Sequence, residues 1–369
     1  MKGKVLMLLS NEFRPDVRVE KEASALSHEG LQVVVFAWDR ECKFPEEEKS
    51  DFRVRRIRVG KVSRKISYFL NLGRFYLTVI KLAKKEKPDV VHAHDLDTLI
   101  PGVIISKLNE AKLVYDAHEH YAYMVSEDVP NFVVKILDEL ERILVRKVSL
   151  IIAANERIAD YLKKWFPGEI VVVMNCIDIP LEKHQIIKKN EKEITIFYGG
   201  SLEPNRYIEE MISFVESNEG LRFVLAGRGR LEKKVVEAAK RCSRIEFVGY
   251  KNKTEIYDLI SSADVVMVMM DPSNLNNQIG TPNRLFEAMA LGTPVLTSKG
   301  TLAGEIVERV GCGLSLNWNK EELLMAFETL MNTNKRKQMI SNAKRIVENE
   351  YNWSFMRGRL VNAFESLFL

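Results

Sequence analysis

Twice along this chain, short runs rich in Val, Ile and Leu alternate with longer segments whose apolar residues recur at helical spacing. Strands that are apolar throughout, without polar alternation, are those of parallel sheets buried on both faces, so the pattern predicts α/β architecture. The first series runs through "KVLMLLS", "LQVVVFAW", "DVVHAH", "KLVYDAH", "LIIAA" and "IVVVM". Residues 178–193, "DIPLEKHQIIKKNEKE", break it with a polar stretch of no clean period. A second series then starts: "ITIFYGG", "RFVLAG", "IEFVG", "DVVMVMM" and "PVLTS". Two doubly wound, Rossmann-like domains in series are expected, at 1–178 and 194–350, joined by a linker at 179–193. The tail is predicted helical from residue 335 onward, with 351–369 as a helix packing back towards the first domain.

A length of 369 residues suits about two cores. Its 55 basic and 51 acidic side chains nearly cancel, which argues against a nucleic-acid partner. The four cysteines (Cys42, Cys176, Cys242, Cys312) are scattered and form no C-x-x-C pair, so neither a disulfide framework nor a zinc site is expected. The apolar run in "MKGKVLMLLSNEF" is too short for a secretory leader and reads as a first strand. No run is long enough to span a bilayer. A reducing, cytoplasmic setting is the expectation.

In doubly wound sheets ligands sit beyond the carboxyl ends of the strands. That makes residues 11–18, His94, Asp95, His118, Glu119, Gly199 to Ser201, Gly227 to Gly229, Gly249, Tyr250 and 271–287 the candidate positions. In "GTPNRLFEAMALGTPVLTS", Thr281 is a plausible N-cap and Pro282 a first helical residue. Amides of Thr281, Asn283 and Arg284 at a positive helix end suit an anion. Glu287, one turn in, can accept two hydroxyl hydrogens at once, as a ribose diol requires. Arg284 and Arg206 offer charge to a diphosphate. Together these form a nucleoside-diphosphate site; a capped helix with one solvated acid is the plainer alternative. In "HDLD", Asp95 or Asp97 is expected to cap the next helix rather than hold a metal. "AGRGRLE" places Glu232 where a dinucleotide fingerprint needs glycine, and no P-loop or nucleophile-elbow motif occurs. Residues 61–87 mix aromatic and basic side chains at helical spacing. They fit either a helix lying on an anionic membrane or a buried helix with a solvated basic end.

The blocks "RPDVRVEKEASALSHEGLQVVVFAW", "KPDVVHAHD", "YDAHE", "NCID", "YGGSLEPNR", "FVLAGRG", "FVGY" and "PNRLFEAMALGTPVLTS", in this order, resemble glycosyltransferase family 4 over nearly the whole chain. The likeness is to the subgroup with a P-N-[KR]-x-F-E-x-M donor helix. It implies the GT-B fold, with two Rossmann-like domains facing across a cleft, and retaining sugar transfer without a metal or other cofactor. By the same resemblance His118 lies near the reacting end of the sugar, Arg206 grips the diphosphate and Glu287 holds the ribose. Gly200, Ser201, Gly227, Val248, Tyr250, Thr281, Asn283 and Arg284 complete the nucleotide-sugar site, while Asp16, Arg18, Asp95 and Glu119 fall on the acceptor side. Two departures stand out: Ser201 replaces a family arginine, and Ile279 replaces the first glutamate of E-x7-E. The expected donor is a UDP- or GDP-linked hexose. The acceptor is a glycan, a lipid-linked sugar or a small molecule, with contact to the inner membrane face left open. Two alternatives stand beside this: a catalytically weak nucleotide-sugar-binding partner subunit, and a sugar-nucleotide 2-epimerase.

Overall fold

A computed structural model describes residues 2–14, 16–62, 65–126, 129–178 and 193–368. The chain divides into two compact units, Met1–Met174 with Met356–Leu369, and Asn175–Phe355. The expected linker at 179–193 falls almost wholly outside the described residues.

Unit 1 holds β1 (Lys4–Leu9), α1 (Val17–His28), β2 (Gln32–Trp38), β3 (Glu47–Glu48), β4 (Arg53–Ile57), α2 (Lys65–Glu86), β5 (Val90–His94) and α3 (Asp95–Asn109). It continues with β6 (Lys112–Ala117), α4 (Tyr121–Met124), α5 (Asn131–Leu144), β7 (Leu150–Ala153), α6 (Glu156–Lys163) and β8 (Ile170–Val172). The sheet order is β3-β4-β2-β1-β5-β6-β7-β8, parallel except for the antiparallel β3–β4 pair. The order reverses at β1/β5, so the loop after β1 and the end of β5 open at one switch point. The apolar pattern gave no sign of β4, "RVRRI". Its Arg56 is nonetheless buried, because the guanidinium donates to the carbonyls of Glu12 and Pro45 and pairs with Glu47 at 2.8 Å.

Unit 2 contains β9 (Ile194–Ser201), α7 (Ile208–Ser217), β10 (Leu221–Arg228), α8 (Glu232–Arg241), β11 (Ile245–Phe247), α9 (Lys253–Ser262), β12 (Val265–Val268) and α10 (Leu275–Ile279). Then come α11 (Asn283–Ala290), β13 (Val295–Ser298), α12 (Leu302–Val310), β14 (Gly313–Leu316), α13 (Lys320–Met331) and α14 (Thr333–Asn349), and α15 (Trp353–Ser366) starts here and continues in unit 1. All six strands are parallel, in the order β11-β10-β9-β12-β13-β14, with the switch point at β9/β12. Buried Ile196, Phe223, Val265 and Leu296 from four neighbouring strands build the core.

The tail is not one continuous helix. It breaks at residues 350–352, where Tyr351 turns inward beside the Phe286 ring and meets Arg309. α15 starts in unit 2, where Asp178 accepts from the Ser354 amide at 3.1 Å, and from Met356 onward it belongs to unit 1. There Phe364 is fully buried beside His92. The division of the chain falls after Met174, and Asn175 already bonds to Asn283 in unit 2.

Candidate functional site

In unit 2 the residues singled out by sequence gather at the carboxyl ends of β9, β10 and β11 and at the start of α11. β9 and β10 run in register to their last residues, pairing Gly200 with Gly227 and Ser201 with Arg228. A Cβ on Gly227 would lie 1.8 Å from the Gly200 carbonyl oxygen, and Gly227 adopts φ +149°. Only glycine fits there, and close strand packing is the reason. Beyond β10, Arg228 lies 4.5 Å over the ring of Tyr250, which is 61% exposed and so has a free face. Val248, half-buried beside it, donates its amide to Leu225.

α11 begins one residue later than its sequence suggests. Pro282, not Thr281, is the N-cap: its backbone is extended and its carbonyl accepts from the Leu285 amide at 2.9 Å. No side chain caps this end. The helix amides therefore follow Pro282 directly, from Asn283 onward. Arg284 and Glu287, one turn apart, form an ion pair on one face of the helix. Arg284 Nε also donates to the Gly199 carbonyl at 2.9 Å, which ties α11 to the end of β9. The Glu287 side chain keeps only 11% of its surface exposed. Arg206 closes a short 3-10 turn (Pro204–Arg206) after β9 and donates from Nη1 to Asn277 Oδ1 at 3.1 Å. Asn277, almost fully buried, donates in turn from Nδ2 to the Asp271 carbonyl at 3.0 Å. Sequence reasoning did not assign Asn277 this role. Its signal was the amide-rich stretch Asn274 to Gln278, just before Ile279, where the resembled pattern has its first glutamate.

Unit 1 assembles a different cluster. His94 ends β5, Asp116 lies in β6 and His118 follows it, so parallel pairing sets the three side by side. Asp116 Oδ2 is 3.1 Å from His94 Nδ1 and 3.0 Å from His118 Nε2. Arg18, from α1, grips the same carboxylate through Nε at 3.0 Å and Nη2 at 2.6 Å, and donates from Nη1 to the Val173 carbonyl. Burial alone would lower the pKa of His118, but Asp95 and Asp116 reverse that and raise it to about 10. Burial likewise opposes the charge on Asp116, yet Arg18 and His118 hold it well below the usual carboxylate range. Beneath this layer lie Glu22, pushed up mainly by burial, and His92, pushed down by burial.

The acceptor-side candidates separate into distinct roles. Asp16 is the N-cap of α1, accepting from the Val19 amide, and is therefore part of the helix start. Arg18 is 7% exposed and committed to Asp116, so it faces inward rather than towards an acceptor. Asp95 does not cap α3, whose N-cap is His94 with no side-chain bond. It sits at φ +64°, and its carboxylate accepts from the His118 amide at 3.2 Å. Glu119 is half-buried at the same strand end.

Ligating atoms of Glu22, His92, His94 and Asp116 lie within 4.8 Å of one another, as do those of His120, Asp138 and Glu141. In the first group the Arg18 guanidinium touches both carboxylates, 3.1 Å from Glu22 and 2.6 Å from Asp116, and so already stands where a cation would. In the second, Asp138 pairs with Arg142 at 2.6 Å and accepts from Tyr161. Neither donor set favours a metal.

Two Rossmann-like α/β units with parallel sheets and strand-end sites define the GT-B class of glycosyltransferases, and solved structures match over the full length. Sucrose-phosphate synthase from Thermosynechococcus elongatus superposes with a TM-score of 0.82 at 17% identity, covering 99% of each chain. The Anabaena protein HepE in complex with UDP-glucose gives 0.72 at 17% identity, covering 99% of this chain and 100% of that one. The description "Glycosyltransferase Family 4" matches residues 16–180, and "Glycosyl transferases group 1" matches residues 181–346. The chain belongs to glycosyltransferase family 4. Among sequence relatives, the glycogen synthase of Mycobacterium tuberculosis is 27% identical over 241 residues, 62% of this chain. The match spans 56% of that synthase.

Proposed function

We propose that this glycosyltransferase moves a hexose-type sugar from a UDP- or GDP-linked donor to an acceptor hydroxyl, with retention at the anomeric carbon. The observation that carries this reading is the Arg284–Glu287 pair at the open start of α11, bonded to the end of β9. In the resting protein each satisfies the other. An arriving nucleotide offers better partners to both: ribose hydroxyls to the carboxylate and diphosphate oxygens to the guanidinium. Arg206, steadied by Asn277, adds a second cation, and the amides of Asn283 and Arg284 add the helix end.

Charge grows on the diphosphate as the sugar bond breaks. Guanidinium groups and amides fixed in place beforehand stabilise that charge most, and no metal is needed for it. With Ser201 and Ile279 in place of charged family residues, these groups carry a larger share of the work. In unit 1, His118 in its charged form does not act as a base, because Asp95 and Asp116 keep its proton on. Asp116 holds its Nε2–H, which leaves the Nδ1–H, 3.5 Å from Asp95, to meet a sugar oxygen. The leaving diphosphate then takes the acceptor proton.

A second reading, a nucleotide-sugar-binding subunit with little turnover, draws on the same pair: Arg284 is already committed to Glu287 and Gly199, so donor binding has to displace it. Incubation with UDP- and GDP-hexoses, with detection of released diphosphate and of transfer to glycan and lipid acceptors, tests the proposal. Turnover supports it. Tight binding with no turnover for any donor favours the subunit reading, and no binding at all rejects both.

A further inference from the structure

All nine large apolar side chains strongly exposed among the described residues of unit 1 lie on four consecutive helices, α2 to α5. α1, α6 and the unit 1 part of α15 carry none. On α2, Leu77 is 72% exposed, Phe69 66% and Leu70 62%. Ile104 on α3, and Phe132 and Ile136 on α5, continue the patch. α2 packs beside α3, and α3 beside α5, so these side chains share one face of the sheet. A soluble monomer rarely leaves three neighbouring helices so open, and a patch of this kind marks an interaction surface.

The charges around the patch select the partner. Among the described side chains of these three helices, the exposed charged residues are Arg74, Lys81, Lys84 and Lys85 on α2, Lys107 on α3, and Lys135 and Glu139 on α5. That is six cations to one carboxylate in a chain that is otherwise nearly balanced. A second copy seated on this face through a two-fold axis would bring the cations against their own images. An anionic bilayer takes both features at once: apolar side chains enter the acyl boundary while Lys and Arg stay at the headgroups. We infer that the outer face of α2, α3 and α5 seats unit 1 on an anionic lipid surface. Together with the transferase reading above, on which this consequence rests, the acceptor is then a lipid-linked hydroxyl presented at that surface.

Flotation of the full chain with vesicles of phosphatidylglycerol and phosphatidylcholine tests the surface. The protein is expected to float with the anionic vesicles, to stay behind with pure phosphatidylcholine, and to lose binding as salt rises. The triple variant Lys81→Ser/Lys84→Ser/Lys85→Ser is expected to bind about a hundredfold more weakly. Phe69→Ser/Leu77→Ser/Ile136→Ser is expected to lose at least about tenfold, with an unchanged melting temperature because all three side chains are exposed. Absence of flotation by the wild type, or equal flotation of these variants, overturns the inference. So does a concentration-dependent dimer that the apolar variant abolishes. Nucleoside-diphosphate binding, measured in parallel, should be the same in both variants. Its absence from the wild type would sink the transferase reading and leave the surface standing.

Discussion

Both units place charged residues near the carboxyl ends of their strands, and treat them in opposite ways. In unit 1, Arg18, Asp116, His94 and His118 satisfy one another in a buried network drawn from α1, β5 and β6. In unit 2, Arg284 and Glu287 come from a single turn of one helix, and Arg206 is tethered through one neutral amide. The first arrangement fixes a protonation state and resists exchange. The proposed function requires the second to release its partners to an incoming anion. That function uses both: a fixed charge beside the sugar and an exchangeable pair for the nucleotide.

The largest effect should come from breaking the rigid side. Asp116→Asn leaves buried Arg18 and half-buried His118 without their shared counter-charge, a loss of about 3–5 kcal/mol. A fall in the denaturation midpoint of unit 1, followed by hydrogen exchange in β5 and β6, would register it. An unchanged midpoint would mean that the network is not structural.

On the exchangeable side, Arg206→Ala should lower turnover by about 2–4 kcal/mol of barrier, a factor of roughly 30 to 1,000, while the fold survives. Wild-type turnover in that variant would remove Arg206 from the charge-stabilising set. Asn277→Ala should act through Arg206. A loss of about tenfold in turnover is expected, the scale of one hydrogen bond to a charged group. In the Arg206→Ala background the same change should cost little more, because the group it positions is gone. Full additivity would contradict the positioning role.

The gentlest probe is pH. His118 has its folded pKa raised above the unfolded value, so its stabilising contribution is complete below about 6.5 and is lost only as pH rises through about 10. Asp116 has its folded pKa depressed, so its contribution is present above the ordinary carboxylate pKa and is lost as pH falls below it. Nitrogen-15 spectra should therefore show a charged imidazole at position 118 at pH 8, with His92 and His94 neutral. A His118 that titrates between pH 6 and 7 would contradict the network.

Much of the architecture was legible in the sequence because continuous apolar strands have few other uses, and the residues proposed to bind the donor could be singled out because they lie close together between Gly280 and Glu287. What escaped was distant in the chain. Arg18 and Asp116 are 98 residues apart, and nothing in local spacing joins them. A carboxylate inside the apolar strand "KLVYDA", and an Arg–Glu pair at i,i+4 on α1, were the available signals, since a charge on a buried strand requires a partner. β4 escaped because three of its five residues are arginine. The first residue of α11 was misplaced because Thr-Pro reads as a cap and first turn, whereas Pro282 itself takes the cap position.

The central claim is that Glu287 holds the ribose of a nucleoside diphosphate at the start of α11. Calorimetric titration of wild type and Glu287→Ala with UDP and with 2′,3′-dideoxy-UDP, repeated with the guanosine pair, tests it most directly. The account predicts that removing the hydroxyls and removing the carboxylate each weaken binding at least about tenfold, and that the two losses do not add. Equal affinity for the normal and dideoxy nucleotides in the wild type, or losses that add in full, would contradict it.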